Sequence, residues 1–332
     1  MSCASGVETG KDNIAIQASQ EAMEQVLRDL KELKKDEILK KYKLKSLDDG
    51  IISKTLNDKE AFISKIAYRP FDIQYTLYSS QKGFLRRSFY KIMQHLLKEN
   101  LGLCFVKFGR DSDNASAFIN NGLVERCQLV GHSGACSIAP LYLYINEEKE
   151  LNFTQQFKDY KESHKILKNK SPEQILAFIY ANLYNPKYRS KYLEYLKIGF
   201  PKVSFEVSVK EFERFEKLGS ELIKLHLMQE IPQDEIDFEG ECGEGLIEKR
   251  QESERFKEDA QKKGRIILNE KLSIIGISRE VWDYTIGGYQ VIKQWLKYRK
   301  EYQCSKDELL HLLKICKILN KILQIQKALD EI

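Results

Sequence analysis

Proline is scarce in this chain, 6 residues among 332, and no two are adjacent. An enzyme that methylates an exocyclic amine needs an Asp/Asn-Pro-Pro-aromatic loop. Its polar oxygen accepts the amine hydrogen while the ring stacks on the flipped base. Without that loop, and without a glycine-rich turn after a strand to hold S-adenosylmethionine, these residues are not expected to carry out methyl transfer. A GxxxxGK(S/T) segment is missing too, which excludes P-loop ATP hydrolysis. The 7 cysteines are odd in number and form no CxxC pair, the usage of reduced thiols in a cytosol rather than of a disulfide scaffold. No apolar run reaches the length of a bilayer crossing. The start, Met1-Ser2-Cys3-Ala4, has neither a basic opening nor an apolar core, so no secretion signal is read and a cytoplasmic location is expected.

What is present is globular. Hydrophobic residues make up 42% and aromatics 11%, enough for a core, and 31% charged residues leave a solvated surface. The length allows two ordinary domains or one large one. Against 49 Asp+Glu stand 54 Lys+Arg, a net +5, so placement matters more than the sum. Acid gathers in 230–260; Lys and Arg dominate 61–132.

The pattern along the chain predicts an α+β fold, a mixed-sheet module over 1–150 followed by a mainly helical region over 151–332. Ile14 and Ile16 alternate as a short strand would, and Met23, Val26, Leu27 and Leu30 recur at helical spacing within 18–49. Asp48-Asp49-Gly50 reads as the turn that closes that segment. Strands are expected at Ile63–Tyr68, Gln74–Tyr78, Leu101–Phe105, Leu123–Val130 and Leu141–Ile145, with a helix over Phe89–Lys98. Ser171-Pro172-Glu173 supplies a cap, a proline at the first helical position and an acid, so a helix should run to about Leu183. Tyr188–Leu196, Val209–Met228, 288–300 and 306–330 read as further helices, and Arg265–Leu268 with Leu272–Ile275 as a small hairpin.

Three constellations invite chemistry. Glu147-Glu148-Lys149 at a strand end would suit a Mg²⁺-dependent nuclease only if a second strand completed it, and it reads as a solvated charge cluster. Cys104, Cys127, His132 and Cys136 lack the tight paired spacing of zinc sites, and the cysteines read as buried apolar filler. His132 reads as a loop histidine rather than a general base.

The basic half is more suggestive. Arg69-Pro70-Phe71-Asp72-Ile73-Gln74-Tyr75 sets aromatics beside polar groups, and Lys82, Arg86, Arg87, Lys107, Arg110 and Arg126 follow. Arg and Lys pair with phosphates or guanine edges, and Gln or Asn with adenine, which makes Gln74, Asn120, Asn121 and Gln128 candidate readers. Composition alone leaves two readings open: a nucleic-acid face, or core tyrosines with ordinary surface cations.

The Arg69–Tyr78 stretch resembles an element of the C-terminal specificity region of type ISP and type IIG restriction–modification enzymes, RPFD-x-R-x-x-Y-Y. Glu99-Asn100-Leu101-Gly102-Leu103, Pro140-Leu141-Tyr142-Leu143-Tyr144, and Tyr180-Ala181-Asn182-Leu183 through Pro186, Tyr188 and Arg189 resemble further family motifs. So do Phe200-Pro201, Leu218-Gly219, Leu225-His226-Leu227, Val281-Trp282-Asp283-Tyr284, Gly287-Gly288-Tyr289-Gln290 and Trp295-Leu296-Lys297. Gly6–Asp12 is similar to the G-x-x-T-x-x-D turn that follows the family's methyltransferase domain. The set spans nearly the whole chain in order. Gln74 stands where the pattern has Arg, Leu77 where it has Tyr, and Ala139 where it has Phe.

The resemblance implies a DNA target-recognition module with no catalytic site or cofactor of its own. Its partners would be double-stranded DNA and an adenine-N6 methyltransferase and nuclease outside these residues, where S-adenosylmethionine and Mg²⁺ would bind. Two alternatives remain: a small Mg²⁺-dependent nuclease, and a protein-docking subunit without DNA binding of its own.

Overall fold

A computed structural model describes residues 1–106, 117–131, 134–260 and 263–332. They divide into two compact units, one from the described residues of 1–107 with 118–168, the other from those of 108–117 with 169–332.

The principal elements of the first unit are β1 (Ala4–Ser5), α1 (Asp12–Ala15), α2 (Gln20–Glu32), α3 (Lys35–Lys41), α4 (Asp49–Asn57), β2 (Phe62–Arg69), β3 (Asp72–Tyr78), α5 (Tyr90–Met93), β4 (Gly102–Val106), β5 (Ala117–Asn120), β6 (Leu123–Val124), β7 (Cys136–Pro140), β8 (Tyr142–Ile145), β9 (Glu148–Leu151) and α6 (Gln155–Ser163). One sheet runs β1-β7-β4-β5 and a second β3-β2-β6. In the first, β4 and β7 pair antiparallel from Gly102↔Pro140 to Val106↔Cys136. In the second, the hairpin of β2 and β3 runs from Phe62↔Tyr78 to Arg69↔Asp72, and β6 joins it in parallel. Helix α2 begins at Ser19, whose hydroxyl accepts from Ala22 N. It buries Met23, Val26 and Leu30 against Ile14, Ile38 and Leu47.

Several local expectations are corrected. Ile14 lies in the helical turn α1, not a strand. Asp48 does not close a helix; its carboxylate accepts from Gly50 N at 2.7 Å and opens α4. The same short polar chemistry serves turns and helix starts, so the sequence reads either way. Of the expected Leu123–Val130 strand only Leu123–Val124 is a strand, with Glu125 bridging Val7 beyond it; the Glu125 carboxylate then takes the Cys127 N–H and bends the chain. Strand β7, at the middle of its sheet, was not anticipated.

The second unit holds α7 (Pro172–Tyr184), α8 (Pro186–Lys191), α9 (Leu193–Ile198), α10 (Val209–His226), β10 (Asp237–Glu239), β11 (Phe256–Glu258), β12 (Gly264–Ile267), β13 (Ser273–Ile277), α11 (Val291–Tyr298) and α12 (Lys306–Asp330). Ser171 and Gln174 form a capping box at the start of α7, with Pro172 inside the first turn. A Cβ on Gly219 of α10 would lie 1.9 Å from the Ala177 carbonyl of α7, so only glycine lets these helices meet this closely. Phe178 and Phe212 stack across the contact at 4.5 Å. The region is not purely helical: the expected hairpin is the centre of a four-stranded antiparallel sheet, β10-β13-β12-β11. The fold is α+β.

Candidate nucleic-acid interface

Residues Gly6–Glu8 thread among three other segments. Gly6 N donates to Cys136 O, Val7 N to Val124 O, and Arg126 N to Val7 O. Glu8 and Arg87 exchange backbone bonds of 2.9 and 3.1 Å. A Cβ on Gly6 would sit 2.7 Å from the Arg126 backbone, so glycine is required for this approach.

Threading places the Glu8 side chain, 10% exposed, beneath three arginines. Its Oε1 lies 3.1 Å from an Arg86 Nη and 3.0 Å from an Arg126 Nη, and its Oε2 3.7 Å from Arg87 Nε. Three guanidinium groups on one carboxylate leave two positive charges in surplus. Arg126 also donates to Gly134 O at 3.0 Å. Arg86 and Arg87, 68% and 65% exposed, keep donors toward solvent. A cavity of about 360 Å³ lies here, with Glu8, Asp12, Arg86, Glu125 and Arg126 in its wall.

The segment carrying Lys82, Arg86 and Arg87 joins Tyr78 to Tyr90. Those rings stack at 6.3 Å, Phe62 meets Tyr78 edge-on at 6.0 Å, and Tyr78 Oη donates to Ser88 O. The segment thus leaves and re-enters the fold through one aromatic stem.

The structure distributes the sequence candidates unevenly. It gathers Arg86, Arg87 and Arg126, and leaves Lys82 and Asn121 exposed. Arg69, Gln74, Asn120 and Gln128 lie in the interior. Arg69 pairs with Glu125 at 2.7 Å and lies over the Tyr68 ring. Gln74 donates to Asp72 at 2.7 Å. Asn120 and Gln128 exchange two side-chain bonds of 3.0 and 2.8 Å. Lys107, Arg110 and His132 lie outside the described residues. Glu147 sits at the exposed turn between β8 and β9 with a positive φ of 70°. Cys104, Cys127 and Cys136 are buried thiols outside any disulfide, and burial pushes Cys127 up to about 12. Among the described residues no three potential ligands gather to hold a metal ion, and no helix is long and apolar enough to cross a membrane.

Glu8, Asp12 and Glu125 escaped the sequence reading, although the Gly6–Asp12 motif was the signal for the first two. Thr9 Oγ1 donates to Asp12, which accepts from Tyr68 Oη at 2.8 Å. Glu125 accepts from Arg69 and Cys127 N, and burial pushes its carboxyl up to about 7 against the pull of Arg69.

A carboxylate nearly shut off from water thus holds two outward-facing arginines, Arg86 and Arg87, and the half-buried Arg126 on an α+β scaffold. The chain belongs to the family of Type ISP C-terminal specificity domains, whose sequence model matches residues 2–326. Its fold is similar to three solved structures. The ATP-dependent Type ISP restriction-modification enzyme LlaBIII bound to DNA gives a TM-score of 0.73 at 19% identity, over 98% of this chain and 23% of that one. The cryoEM structure of a DrdV–DNA complex gives 0.74 at 18%, over 100% and 36%. A nuclease-deletion mutant of the Type ISP enzyme LlaGI with a DNA substrate mimic gives 0.68 at 16%, over 99% and 33%. The chain therefore spans between 23% and 36% of the length of these proteins. Among curated proteins none matches.

Proposed function

We propose that this chain reads a duplex DNA target and so positions an adenine-N6 methyltransferase and nuclease lying outside these residues, in the cytoplasm. The observation that carries the reading is the arginine group on Glu8. Guanidinium groups fixed by a carboxylate meet phosphate oxygens or guanine edges in a set geometry, and charge-assisted pairs of this kind are the strong ones. Membership of a specificity family and likeness to enzymes solved with DNA support it.

In this reading Lys82, Arg86 and Arg87 contact the phosphates, Asn121 stands by as a reader, and Lys107 and Arg110 belong to the same basic half. Arg69, Gln74, Asn120, Arg126 and Gln128 shape the surface from within. The chain itself performs no chemistry; S-adenosylmethionine and Mg²⁺ serve the domains outside it.

Duplex binding measured against salt tests this. Each phosphate contact contributes about 0.9 to the slope of log affinity on log salt, so the double variant R86Q/R87Q should flatten it by about 2. An unchanged slope overturns the assignment of these two arginines. Loss of Mg²⁺-dependent cleavage by the purified chain in E148A would instead favour the nuclease reading.

A further inference from the structure

A second cleft in the first unit, of about 320 Å³, opens between α1, α2, α4 and the 79–89 segment. Ile14, Leu30, Leu47, Ile51, Ile52 and Phe84 make its walls apolar, while Lys11 and Arg86 also line it. No carboxylate is among its described lining residues. Lys11 Nζ donates to Ser46 O at 2.6 Å and keeps further donors; the Arg86 side chain is mostly exposed. A space of this size lies at the lower end of the range of small-molecule sites, about 300–1,000 Å³, and well above the voids a packed interior leaves.

We propose that this cleft binds a small amphipathic anion, its apolar body among the isoleucines and Phe84 and its acidic group on Arg86 and Lys11. An apolar wall alone would take any greasy group; Lys11, and the exposed part of an Arg86 guanidinium that Glu8 holds from outside the cleft, select one bearing a negative charge. Arg86 belongs to both this cleft and the group on Glu8. A bound anion therefore competes for Arg86 with a phosphate of the duplex. That competition rests on the reading under Proposed function, whereas binding in the cleft does not.

Anilinonaphthalene sulfonate, an aromatic sulfonate whose emission rises in apolar sites, is the probe, titrated into the whole chain without DNA. Saturable binding of one dye per chain is expected, weakened about tenfold by R86Q through loss of a charge-assisted bond. Ile51→Trp, which fills the cleft, should abolish it, and Tyr195→Ser, on the exposed surface of the second unit, should leave it unchanged. Gly83→Leu blocks the cleft from its other wall, where a new Cβ meets only ordinary contacts at 3.6 Å or beyond; it decides the matter if I51W does not fold. Dye binding that neither saturates nor responds to I51W or G83L overturns the proposal. With duplex present, saturating dye should weaken DNA binding by the wild type but not by G83L. Dye bound in the cleft with duplex affinity unmoved refutes the sharing of Arg86, and a chain that binds no duplex still leaves the dye titration to decide.

Discussion

Glu8→Gln keeps the size of the side chain and removes the charge on which Arg86, Arg87 and Arg126 converge. Its cost to stability follows from exposure. The Arg86 and Arg87 pairs reach into solvent and are screened, worth about 0.2–1 kcal/mol each. The Arg126 pair is more enclosed, and a charge-assisted bond there contributes about 1–2 kcal/mol after discounting for its partial exposure. Allowing for the weaker bond glutamine still accepts, unfolding in urea should show a loss of about 2 kcal/mol. The effect on DNA has two parts of opposite sign. Removing a negative charge strengthens attraction to any duplex. Freeing two arginines means that binding must order them again, at about 0.5–1.5 kcal/mol per side chain. Discrimination separates the two, because phosphate contacts in a set geometry fix the register in which the bases are read. The ratio of affinities for the target and a scrambled duplex, at matched salt, should fall about 5- to 150-fold, the equivalent of about 1–3 kcal/mol. Fluorescence anisotropy on both duplexes measures it, once the target has been selected from a pool of random duplexes by binding to the chain. A ratio that stays constant while both affinities rise would show that Glu8 merely offsets charge, and the argument from a fixed arginine geometry would fail.

Arg69→Met should cost about 3 kcal/mol at about pH 8, because without the guanidinium that pulls it down the buried Glu125 carboxyl must either stay charged in the interior or take up a proton against the pH. The cost should shrink at about pH 6, where the carboxyl takes a proton instead, and adding Glu125→Gln should recover most of it in urea denaturation. Burial holds His226 neutral down to about 3, so below about pH 6.5 only the unfolded chain takes that proton. Stability should therefore fall by about 2 kcal/mol by pH 5, a slope that His226→Gln removes in calorimetry. Gly6→Val forces a side chain into the Arg126 backbone and should lower the urea midpoint by an amount equal to about 1–3 kcal/mol while weakening duplex binding.

The elements visible in the sequence are those whose signal is local. Ser171-Pro172 marked the start of α7, and the Val209–Met228 stripe gave α10 because helical periodicity needs no partner. Strand β7 and the outer strands β10 and β11 of the second unit's sheet went unread, since short strands owe their existence to neighbours distant in sequence. The motifs behind the family resemblance turn out to be braces. Asn100 bonds both backbone groups of Tyr142, and a Cβ on Gly102 would meet Ile138 at 2.8 Å. Arg69 belongs to a buried ion pair. A residue type that contacts DNA and one that props a loop look alike in one dimension, and burial alone separated Arg69 and Gln128 from Arg86 and Arg87.

The stacked Tyr78 and Tyr90 close the 79–89 segment at its base, independent of what the segment carries between them. Closure entropy grows only slowly with length, about 0.6 kcal/mol for each doubling. Leu85 is buried and Arg87 bonds the Glu8 backbone, so it is the exposed stretch around Gln81 and Lys82 that can be rewritten or lengthened while the stem and these anchors stay intact. In such a molecule a new surface would arise from changes at the exposed tip of one tethered loop, with the stability of the scaffold left almost where it was.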